Sequence, residues 1–306
     1  MKEIQFEHLG PIKDLFLYFL IAAGAIFLLV VFFTLFYSWK YKQKKGDREE
    51  PEQLHGHRRL EFSLIGIAFA LVGVFFYLTV SAMNRIQDIP EGAKPNLLIT
   101  GHQWWWEAKY ADGGLVTANE VHVPVGKELL VQFNSEDVIH SWWIPSLGRK
   151  MDLVPGVNNY MKLKVDEAGE YWGSCSEFCG AQHGWMRIRL IAQAPEDFQK
   201  WKAKQLASKK PLKNALFERG QKLFASKTCI NCHAISPTAD EPNLGPNLAN
   251  FSSREYFLSN IKLNNKENLA HWLKHPGRVK SSARMPDMLL NDDEIKALMF
   301  YLENLE

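Results

Sequence analysis

Cysteine is scarce in this chain of 306 residues, which contains only four. They form two close pairs, Cys175 with Cys179 and Cys229 with Cys232, which are too few and too local for a disulfide framework. The chain also lacks a strong charge imbalance, since its formal net charge is +2, and it has no long basic tract. We therefore expect no nucleic-acid binding. Close cysteine pairs indicate metal or haem chemistry instead.

Charged residues are absent from two long stretches near the start of the chain. Leu15 to Tyr37 runs for 23 residues without a charge, and Phe62 to Val80 runs for 19. Each run is long enough to cross the roughly 30 Å hydrocarbon layer of a bilayer as a helix. A cleaved signal peptide is the alternative for the first run, but the run is long for a signal core and is followed by charge rather than by small residues. We predict a transmembrane hairpin that contacts membrane lipid.

The segment between the two runs is basic. It contains seven Lys and Arg residues, whereas residues 1–14 contain only Lys2 and Lys13. Because positively charged loops stay in the cytoplasm, this segment predicts a cytoplasmic loop. Both termini and everything after Val80 are then expected on the periplasmic or outer side, which places the chain in the inner (cell) membrane of a bacterium as a multi-pass protein.

The pattern changes to short alternating runs from about Asn96. The runs VHVPVG, ELLVQF, YMKLKV and MRIRLI are separated by turns rich in Gly, Pro, Asn and Asp. This pattern predicts a small antiparallel β-sandwich or barrel. The predicted domains are a hairpin at 1–95 (helices about 15–37 and 62–80), a β-module at 96–194, a polar and partly helical linker at 195–213, and an all-α module at 214–306.

The last module is interpreted as helices, with the segments ALFERGQKLFASKTC before the second cysteine pair, ENLAHWLKHP in the middle and NDDEIKALMFYLENLE at the end. In the final helix, Asn291 is a candidate N-cap, and Glu294 occupies the N3 position of a capping box.

The second cysteine pair forms a C-x-x-C-H motif with Cys229, Cys232 and His233. In this motif the two thiols add to the vinyl groups of a haem, and the adjoining histidine becomes an axial ligand of its iron. A redox dithiol or half of a zinc site is the alternative. However, no second C-x-x-C follows, and no thioredoxin-like βαβ pattern surrounds the motif.

A six-coordinate haem that carries electrons needs a second axial ligand, and a thioether raises its potential. Met285 is our choice, because it lies on a loop just before the last helix and is followed by proline. Met288 is the alternative by position. The module resembles class I cytochromes c, which show a helix with Gly and an aromatic residue, C-x-x-C-H, a Gly-Pro-Asn-Leu stretch and Met-Pro. The resemblance implies that the carbonyl of Pro246 orients the ring of His233.

The first cysteine pair belongs to the pattern C-x-E-x-C-x-x-x-H-x-x-M, which contains Cys175, Cys179, His183 and Met186. Soft sulfur and imidazole ligands of this kind select copper. A mononuclear blue-copper site needs one cysteine, whereas two thiolates could bridge two copper ions if a second histidine were present. His140, at the end of a predicted strand, is a better candidate for that histidine than His102 or His122.

A zinc site is the alternative for the same four ligands, Cys175, Cys179, His183 and His140, because zinc accepts all of them. Sequence spacing leaves this alternative open. The two-copper interpretation is preferred because Met186 and the Glu177 carbonyl offer weak axial positions that zinc would not use, and because a haem motif follows.

Over nearly its whole length the chain resembles subunit II of haem-copper cytochrome c oxidases, in the form with a cytochrome c module fused at the C-terminus. The matching segments are the hairpin, the C-x-E-x-C-x-x-x-H-x-x-M segment that begins at Cys175, and the motifs GHQWWW, DVIHSW and KMDLVPG. The fold class that this implies is a multi-domain membrane protein, with a two-helix hairpin, a cupredoxin β-sandwich and an all-α cytochrome c module.

The resemblance also implies roles for individual residues. In a dicopper (CuA) centre, Cys175 and Cys179 would bridge the coppers. The remaining ligands would be His140, His183, Met186 and the main-chain carbonyl of Glu177. The carboxylate of Glu177 would face subunit I and help to hold a magnesium or manganese ion there.

Two further residues match functional positions of the family. Trp104 matches the tryptophan near the copper site through which electrons enter, whereas Trp105 and Trp106 are expected to be core or membrane-interface residues. Glu61 matches a glutamate at the cytoplasmic mouth of a proton pathway. The family's Trp-Thr-x-x-Pro is absent after Glu61, so a solvated carboxylate at a helix end is the alternative.

The implied function is electron transfer in a respiratory terminal oxidase, from the fused haem c to the dicopper centre and on to the haem of subunit I, where oxygen is reduced to water. Expected partners are subunit I, subunit III, and an upstream donor such as a cytochrome c, another small redox protein or a quinol-oxidising complex. Alternatives are the copper subunit of a nitric-oxide reductase or a non-enzymatic, membrane-anchored copper-binding protein. A nitrous-oxide reductase fits less well, since that enzyme lacks the hairpin and the fused haem.

Overall fold

The structure is a computed structural model, which describes residues 10–43, 46, 56–89, 92–207 and 212–305. The chain divides into a helical hairpin and a second compact unit that contains the rest of the described chain from residue 92 onward. Most of the basic loop used to predict the orientation lies outside the described residues, as do residues 1–9 and residues 208–211 of the predicted linker.

The hairpin consists of two long apolar helices, α1 (Gly10–Lys40) and α2 (Arg58–Gln87). Their apolar side chains are largely exposed, and both helices are long enough to cross a membrane. They extend beyond the predicted limits of 15–37 and 62–80, because helical hydrogen bonding continues into the polar residues that flank each apolar run. At the start of α2, the ring of His57 accepts a hydrogen bond from the Leu60 N–H at 3.1 Å.

The β-module contains two five-stranded sheets, with strand orders β3-β2-β1-β5-β8 and β4-β10-β9-β6-β7. The strands are β1 Leu97–His102, β2 Trp105–Tyr110, β3 Val116–Ala118, β4 Glu120–Pro124, β5 Leu129–Ser135, β6 His140–Trp143, β7 Met151–Leu153, β8 Asn159–Leu163, β9 Gly169–Cys175 and β10 Arg187–Gln193.

The alternating sequence pattern is reflected in the burial of these strands. In β5, every second residue is buried, as expected for a strand with one face on the core. Large side chains such as Trp106, Phe133 and Tyr171 are fully buried between the sheets. The core position expected for Trp105 and Trp106 is confirmed, because they are only 6% and 0% exposed.

The pairing of the strands departs from the antiparallel prediction at two places. β1 pairs with β5 in parallel, and β4 pairs with β10 in parallel. Each of these pairs joins strands that are distant in sequence, so the direction of pairing depends on how the chain crosses between the sheets. Alternation along one strand carries no information about that crossing.

The polar segment after β10 forms helix α3 (Pro195–Leu206), which packs on the β-module. Phe198 belongs to the core of that module, and the ring of Trp201 stacks on His122 with the ring centroids 3.9 Å apart. The helical part of the predicted linker therefore contributes to the packing of the β-module.

The last module contains α4 (Ala215–Ser226), α5 (Lys266–Lys274), α6 (Pro276–Val279) and α7 (Asp292–Glu303), with a short hairpin of β11 (Tyr256–Phe257) and β12 (Lys262–Leu263). Helices α4 and α7 cross closely at Gly220, where a Cβ atom would lie 2.3 Å from the Ala297 carbonyl oxygen. The predicted capping box of α7 is confirmed, since Asn291 and Glu294 exchange hydrogen bonds of 2.9 and 3.0 Å.

The helical module and the β-module contact each other extensively within the second unit. Arg189 of β10 is 3% exposed and pairs with Glu120, Glu170 and Glu255, the last of which belongs to the helical module. A second contact is made by the Asn260 side chain, whose amide donates to the Asn119 carbonyl at 2.7 Å. These contacts hold the two modules in a defined orientation.

Glu107 of β2 gives this unit a pH-dependent stability. Burial, together with the nearby carboxylates of Asp240, Glu136 and Glu241, raises the pKa of Glu107 from 4.5 to about 7, against Lys109. Because the folded-state pKa is the higher one, the unfolded chain ionises first, and stability falls as the pH rises from about 4.5 to about 7. Glu107→Gln should match wild type below about pH 4.5 and be more stable by about 3 kcal/mol above pH 7.

Urea unfolding of the detergent-solubilised chain, followed by tryptophan fluorescence across this pH range, would measure the effect. Glu128→Gln is the matched control, since Glu128 is an exposed carboxylate of the same module. A difference between Glu107→Gln and wild type that stays constant with pH would contradict the prediction.

Candidate functional site

The candidate metal centre is built on the loop between β9 and β10. β9 ends at Cys175 and β10 begins at Arg187, and a 3₁₀ turn at His183–Trp185 folds the intervening chain back. The Cys175 N–H donates to the Met186 carbonyl at 3.0 Å, which closes the neck of the loop. We call residues 175–186, from the last residue of β9 to Met186, the ligand loop.

The two sulfur atoms of this site lie side by side. Cys175 Sγ and Cys179 Sγ are 3.7 Å apart, too far for the bond of about 2.05 Å in a disulfide. Donor atoms bound to one ion at about 2.0–2.3 Å with tetrahedral angles lie about 3.3–3.8 Å apart. The spacing of the two sulfurs therefore fits thiolates that share a metal.

Further donor atoms surround the sulfur pair. His140 Nδ1 lies 3.9 Å from Cys175 Sγ, and His183 Nδ1 lies 3.6 Å from Cys179 Sγ. Met186 Sδ is 3.9 Å from Cys179 Sγ, and the Glu177 carbonyl oxygen is 3.2 Å from Cys175 Sγ. The structure thus brings together all six of the donors suggested by the sequence.

The site is closed to solvent around the sulfurs. Cys175 and Cys179 are 4% and 2% exposed, and the side chains of His140 and Met186 are completely buried. In contrast, the Glu177 side chain is exposed beside Phe178, which is 76% exposed. The main chain of Glu177 therefore faces the donors while its carboxylate faces outward.

Hydrogen bonding shifts the pKa values of the two thiols in opposite directions. The contact with Cys179 and the hydrogen bond with His140 lower the pKa of Cys175, against burial. The same contact and burial raise the pKa of Cys179. The two thiols therefore differ in how readily they ionise, and a bound metal ion would displace the protons that remain on them.

His140 reaches the loop from the start of β6, and it is oriented by a carboxylate. Its Nε2 is 2.9 Å from Asp137 Oδ1, so the other ring nitrogen, Nδ1, points at the sulfurs. Carboxylates commonly hold metal-binding histidines in this way. Burial alone would lower the pKa of His140, but its hydrogen bonds to Asp137 and Cys175 raise it.

The other two candidate histidines have different surroundings. His122 contacts Gln193 and Glu120, and the ring of His102 stacks on Trp105 with the centroids 4.1 Å apart. Among the described residues, the compact His/Cys cluster contains His140, Cys175 and Cys179, with ligand atoms within 4.8 Å of one another. His140 is thus the second histidine that lies against the cysteine pair.

The GHQWWW motif supports the same site from β1 and the turn that follows it. Gly101 lies against the ring of His140, since a Cβ atom on Gly101 would lie 2.8 Å from Cδ2 of that ring. The Gln103 amide and the Trp104 indole N–H both donate to the Cys179 carbonyl, at 2.7 and 2.9 Å. Trp104 is therefore in direct contact with a candidate ligand residue.

The haem-attachment motif follows α4. Cys229–Asn231 forms a short 3₁₀ turn, and the His233 N–H donates to the Cys229 carbonyl at 3.0 Å. His233 Nδ1 is 2.7 Å from the Pro246 carbonyl, which is the contact that the resemblance implied. With Nδ1 donating to this carbonyl, Nε2 is the nitrogen available to an iron.

The surroundings of His233 fit a neutral ligand. Burial lowers its pKa, against the hydrogen bond to Pro246. Gly245 is needed beside the ring, because a Cβ atom there would lie 2.5 Å from His233 Cε1. Met285 and Met288 are both half-buried against the core of the module, so their burial does not separate them as axial ligands.

Glu61 lies in the first turn of α2, outside these two sites. Its carboxylate accepts the His57 N–H at 3.0 Å, as expected for an acidic residue at a helix N-terminus. This contact is compatible with a solvated helix-end carboxylate, and the role of Glu61 in proton entry stays a prediction.

Three residues at the metal site had no individual role in the sequence analysis. Gln103 and Asp137 belong to motifs that carry the resemblance, and Gln182 belongs to the ligand loop. Gln103 and Asp137 contact Cys179 and His140, and Gln182 contacts the helical module. The available signal was sequence proximity, of Asp137 to His140, of Gln182 to His183 and of Gln103 to Trp104.

The fold and the two sites define a class of membrane-anchored electron-transfer proteins, in which a cupredoxin-like β-module is joined to a cytochrome c module. Residues 114–193 match the family model for the periplasmic domain of cytochrome c oxidase subunit II, and residues 217–306 match that for cytochrome c.

The chain belongs to the cytochrome c oxidase subunit 2 family. Subunit 2 of Alkalihalophilus pseudofirmus is 33% identical, with 93% of this chain and 84% of the relative covered. Subunit 2 of Bacillus subtilis is 30% identical, with 90% and 83% covered. Among solved structures, the periplasmic domain of subunit II from Bradyrhizobium japonicum is 33% identical with a TM-score of 0.35, over 37% of this chain and 94% of that one.

Membership of this family, together with the fused cytochrome c module, makes the chain an electron-transfer subunit of a cytochrome c oxidase complex. It is anchored in a membrane and associates with other oxidase subunits, and its two modules imply copper and haem c as cofactors. The comparisons give no support to the nitric-oxide reductase or copper-binding alternatives.

The contact between Gly101 and His140 generates a test of the site. Gly101→Ala should displace the His140 ring, because an added Cβ would approach it to 2.8 Å. We expect weaker copper retention and an altered copper absorption spectrum in the purified complex. Gly184→Ala is the matched control, since Gly184 lies on the ligand loop but has no atom within 4 Å of an added Cβ. Equal copper spectra in the two variants would contradict the prediction.

Proposed function

We propose that the ligand loop and His140 hold a dicopper centre. In this assignment, Cys175 and Cys179 bridge the two ions, and His140 and His183 each bind one of them. Met186 and the Glu177 carbonyl supply the weak axial donors. The observation that carries the proposal is the sulfur pair at 3.7 Å with a histidine nitrogen on each side.

The number and type of donors favour two copper ions over one zinc ion. A structural zinc site is closed by four ligands. Here a fully buried thioether and a main-chain carbonyl stand beside the two thiols and two imidazoles. Thiolate, imidazole and a weak axial thioether are the donors typical of copper centres that transfer electrons.

For the cytochrome module, we propose covalent haem attachment at Cys229 and Cys232, with His233 and Met285 as axial ligands. The contact between His233 and Pro246 supports the histidine assignment, because it fixes the ring and leaves Nε2 free to bind. The assignment of Met285 rests on its Met-Pro motif, and Met288 is its competitor.

We propose that the bound haem c accepts an electron from an upstream donor and that the dicopper centre relays it to subunit I, where oxygen is reduced. The chain contributes rigid donors on strands and a short loop, which limits rearrangement between redox states. Because the cytochrome is part of the same chain, its effective concentration at the copper module is of millimolar order. Trp104 is proposed as the electron-entry residue, supported by its bond to the Cys179 carbonyl.

The exposed face of the ligand loop is the proposed contact with subunit I. The outward carboxylate of Glu177 is a hard oxygen donor that suits a magnesium or manganese ion, and Phe178 beside it offers apolar surface. Subunit III and an upstream electron donor, such as a cytochrome c, another small redox protein or a quinol-oxidising complex, are further proposed partners. The proposed location is the bacterial inner membrane, with residues after α2 on the periplasmic or outer side.

Replacement of a bridging thiol tests whether electrons reach subunit I through the copper centre. Cys175→Ser should leave covalent haem c and its absorbance intact but remove the copper spectrum and oxygen uptake by the purified complex, because a hydroxyl is a poor copper ligand. Metal analysis of wild type should give two copper ions in this subunit. Unchanged oxygen uptake in Cys175→Ser, or one zinc ion in place of copper, would defeat the assignment.

The axial ligand of the haem is tested by a pair of matched variants. Met285→Ala should abolish the methionine-to-iron charge-transfer band of the oxidised haem and lower its potential, because a thioether favours ferrous iron. Met288→Ala, three residues away and similarly half-buried, should retain the band. Loss of the band in Met288→Ala alone would assign the ligand to Met288.

A further inference from the structure

On the metal-site side of the β-module, one short segment of the cytochrome module contacts residues beside the candidate copper ligands. We call Lys280–Met285 the methionine loop, because it ends at the proposed axial ligand. We call Gln103, Trp104, Asp137 and Gln182 the copper mouth, because each of them lies beside a candidate copper ligand in space or in the ligand loop.

Two hydrogen bonds connect the cytochrome module to the copper mouth through main-chain atoms. The Gln182 side-chain amide donates to the Ser281 carbonyl at 2.6 Å, and Gln182 itself is 4% exposed. The Ser259 hydroxyl donates to the Trp104 carbonyl at 2.6 Å. Lys280, which is 5% exposed, donates to the same Ser259 hydroxyl at 3.3 Å. The start of the methionine loop is therefore packed against the mouth.

The end of the loop makes its contacts through the side chain of Arg284. One terminal nitrogen of its guanidinium donates to the Gln103 side-chain oxygen. The other, Nη1, lies 3.7 Å from Asp137 Oδ2, and the guanidinium carbon is 5.6 Å from the centroid of the Trp104 ring. One arginine thus contacts three of the four residues of the copper mouth.

Each partner of Arg284 is bonded in turn to a candidate copper ligand. Gln103 and Trp104 both donate to the Cys179 carbonyl, and Asp137 holds Nε2 of His140. Arg284 directly precedes Met285 in the chain. The side chain of Arg284 therefore connects the main chain next to the proposed haem ligand with two candidate copper ligands. It reaches Cys179 through Gln103 and Trp104, and His140 through Asp137.

From this arrangement we propose that Arg284 is a positioning residue for electron transfer within the chain. Its side chain fixes the position of the methionine loop against the copper mouth. The inference rests on the proposed function. An arginine suits this task because its planar guanidinium offers several donors in a fixed geometry and also stacks on aromatic rings. Lysine would supply the charge without that geometry.

Arg284 contributes little to the stability of the fold. Its side chain is 57% exposed, and exposed ion pairs of this kind are worth about 0–1 kcal/mol. Other contacts hold the modules together, including Arg189 with Glu255 and Asn260 with Asn119. Removal of the Arg284 side chain should therefore leave both modules folded and in contact. The methionine loop, however, should be held less firmly against the copper mouth.

The test uses the purified oxidase complex with Arg284→Ala. After rapid reduction of haem c, the rate of electron transfer to copper is followed by absorbance. We expect this rate to fall severalfold, because a less fixed position of the methionine loop lengthens the average path between the two redox centres, and electron tunnelling weakens steeply with distance. The absorption spectra of haem c and copper should be unchanged. Arg278→Ala, at an exposed arginine of the same module, should transfer electrons like wild type.

A second variant and a structural readout complete the test. Arg284→Lys should transfer electrons faster than Arg284→Ala but more slowly than wild type. Lysine restores the positive charge beside Asp137, but it lacks the planar guanidinium that contacts Gln103 and Trp104. Hydrogen exchange should become faster at residues 100–107 and 280–285 in Arg284→Ala and stay unchanged at α7. A wild-type rate of electron transfer in Arg284→Ala would overturn the proposal, whatever the exchange result.

The outcomes separate this inference from the proposed function. If wild type shows no electron transfer from haem c to copper, the proposed function fails. If wild type transfers electrons and Arg284→Ala does so at the same rate, only the positioning role fails.

Discussion

Two buried sulfur atoms held 3.7 Å apart are the constraint on which the rest of this protein depends. The contact between these thiols lowers the pKa of Cys175 and raises that of Cys179. The fold keeps them together because the ligand loop is closed at its neck by the bond between Cys175 and Met186. A rigid sandwich beneath the loop then presents His140 from a different strand.

The Cys179 carbonyl connects the sulfur pair to the residues around it. It accepts hydrogen bonds from Gln103 and Trp104, so the turn after β1 is attached to the ligand loop. Those residues and Asp137 meet Arg284 of the cytochrome module. The metal site, its supporting hydrogen bonds and the contact between the modules therefore form one continuous structure, in which the geometry of the donors and the seating of the cytochrome are coupled.

Local patterns predicted much of this molecule. The C-x-x-C-H motif, the ligand loop and the capping box of α7 each lie within a short stretch of chain, where spacing determines which side chains can meet. The transmembrane runs were recognisable for the same reason, although the helices extend further than the apolar residues. The parallel pairing of β1 with β5 and of β4 with β10 was not predicted, because alternation within a strand says nothing about its neighbour. The packing of Phe198 into the core of the β-module was hidden by the polar composition of its segment.

The sequence by itself determined the chemistry of the protein, namely two thiols, an imidazole and a thioether on one loop, a haem-attachment motif and two apolar helices. These features depend on residue type and short spacing, which a linear chain displays directly. The sequence offered His140 only as a candidate, and the tertiary structure decided that it faces the sulfurs, that Asp137 orients it, and that Arg284 lies on the copper mouth. Those contacts join residues far apart in the sequence or on different modules, so they arise from how the sheets pack and how the cytochrome module docks on them.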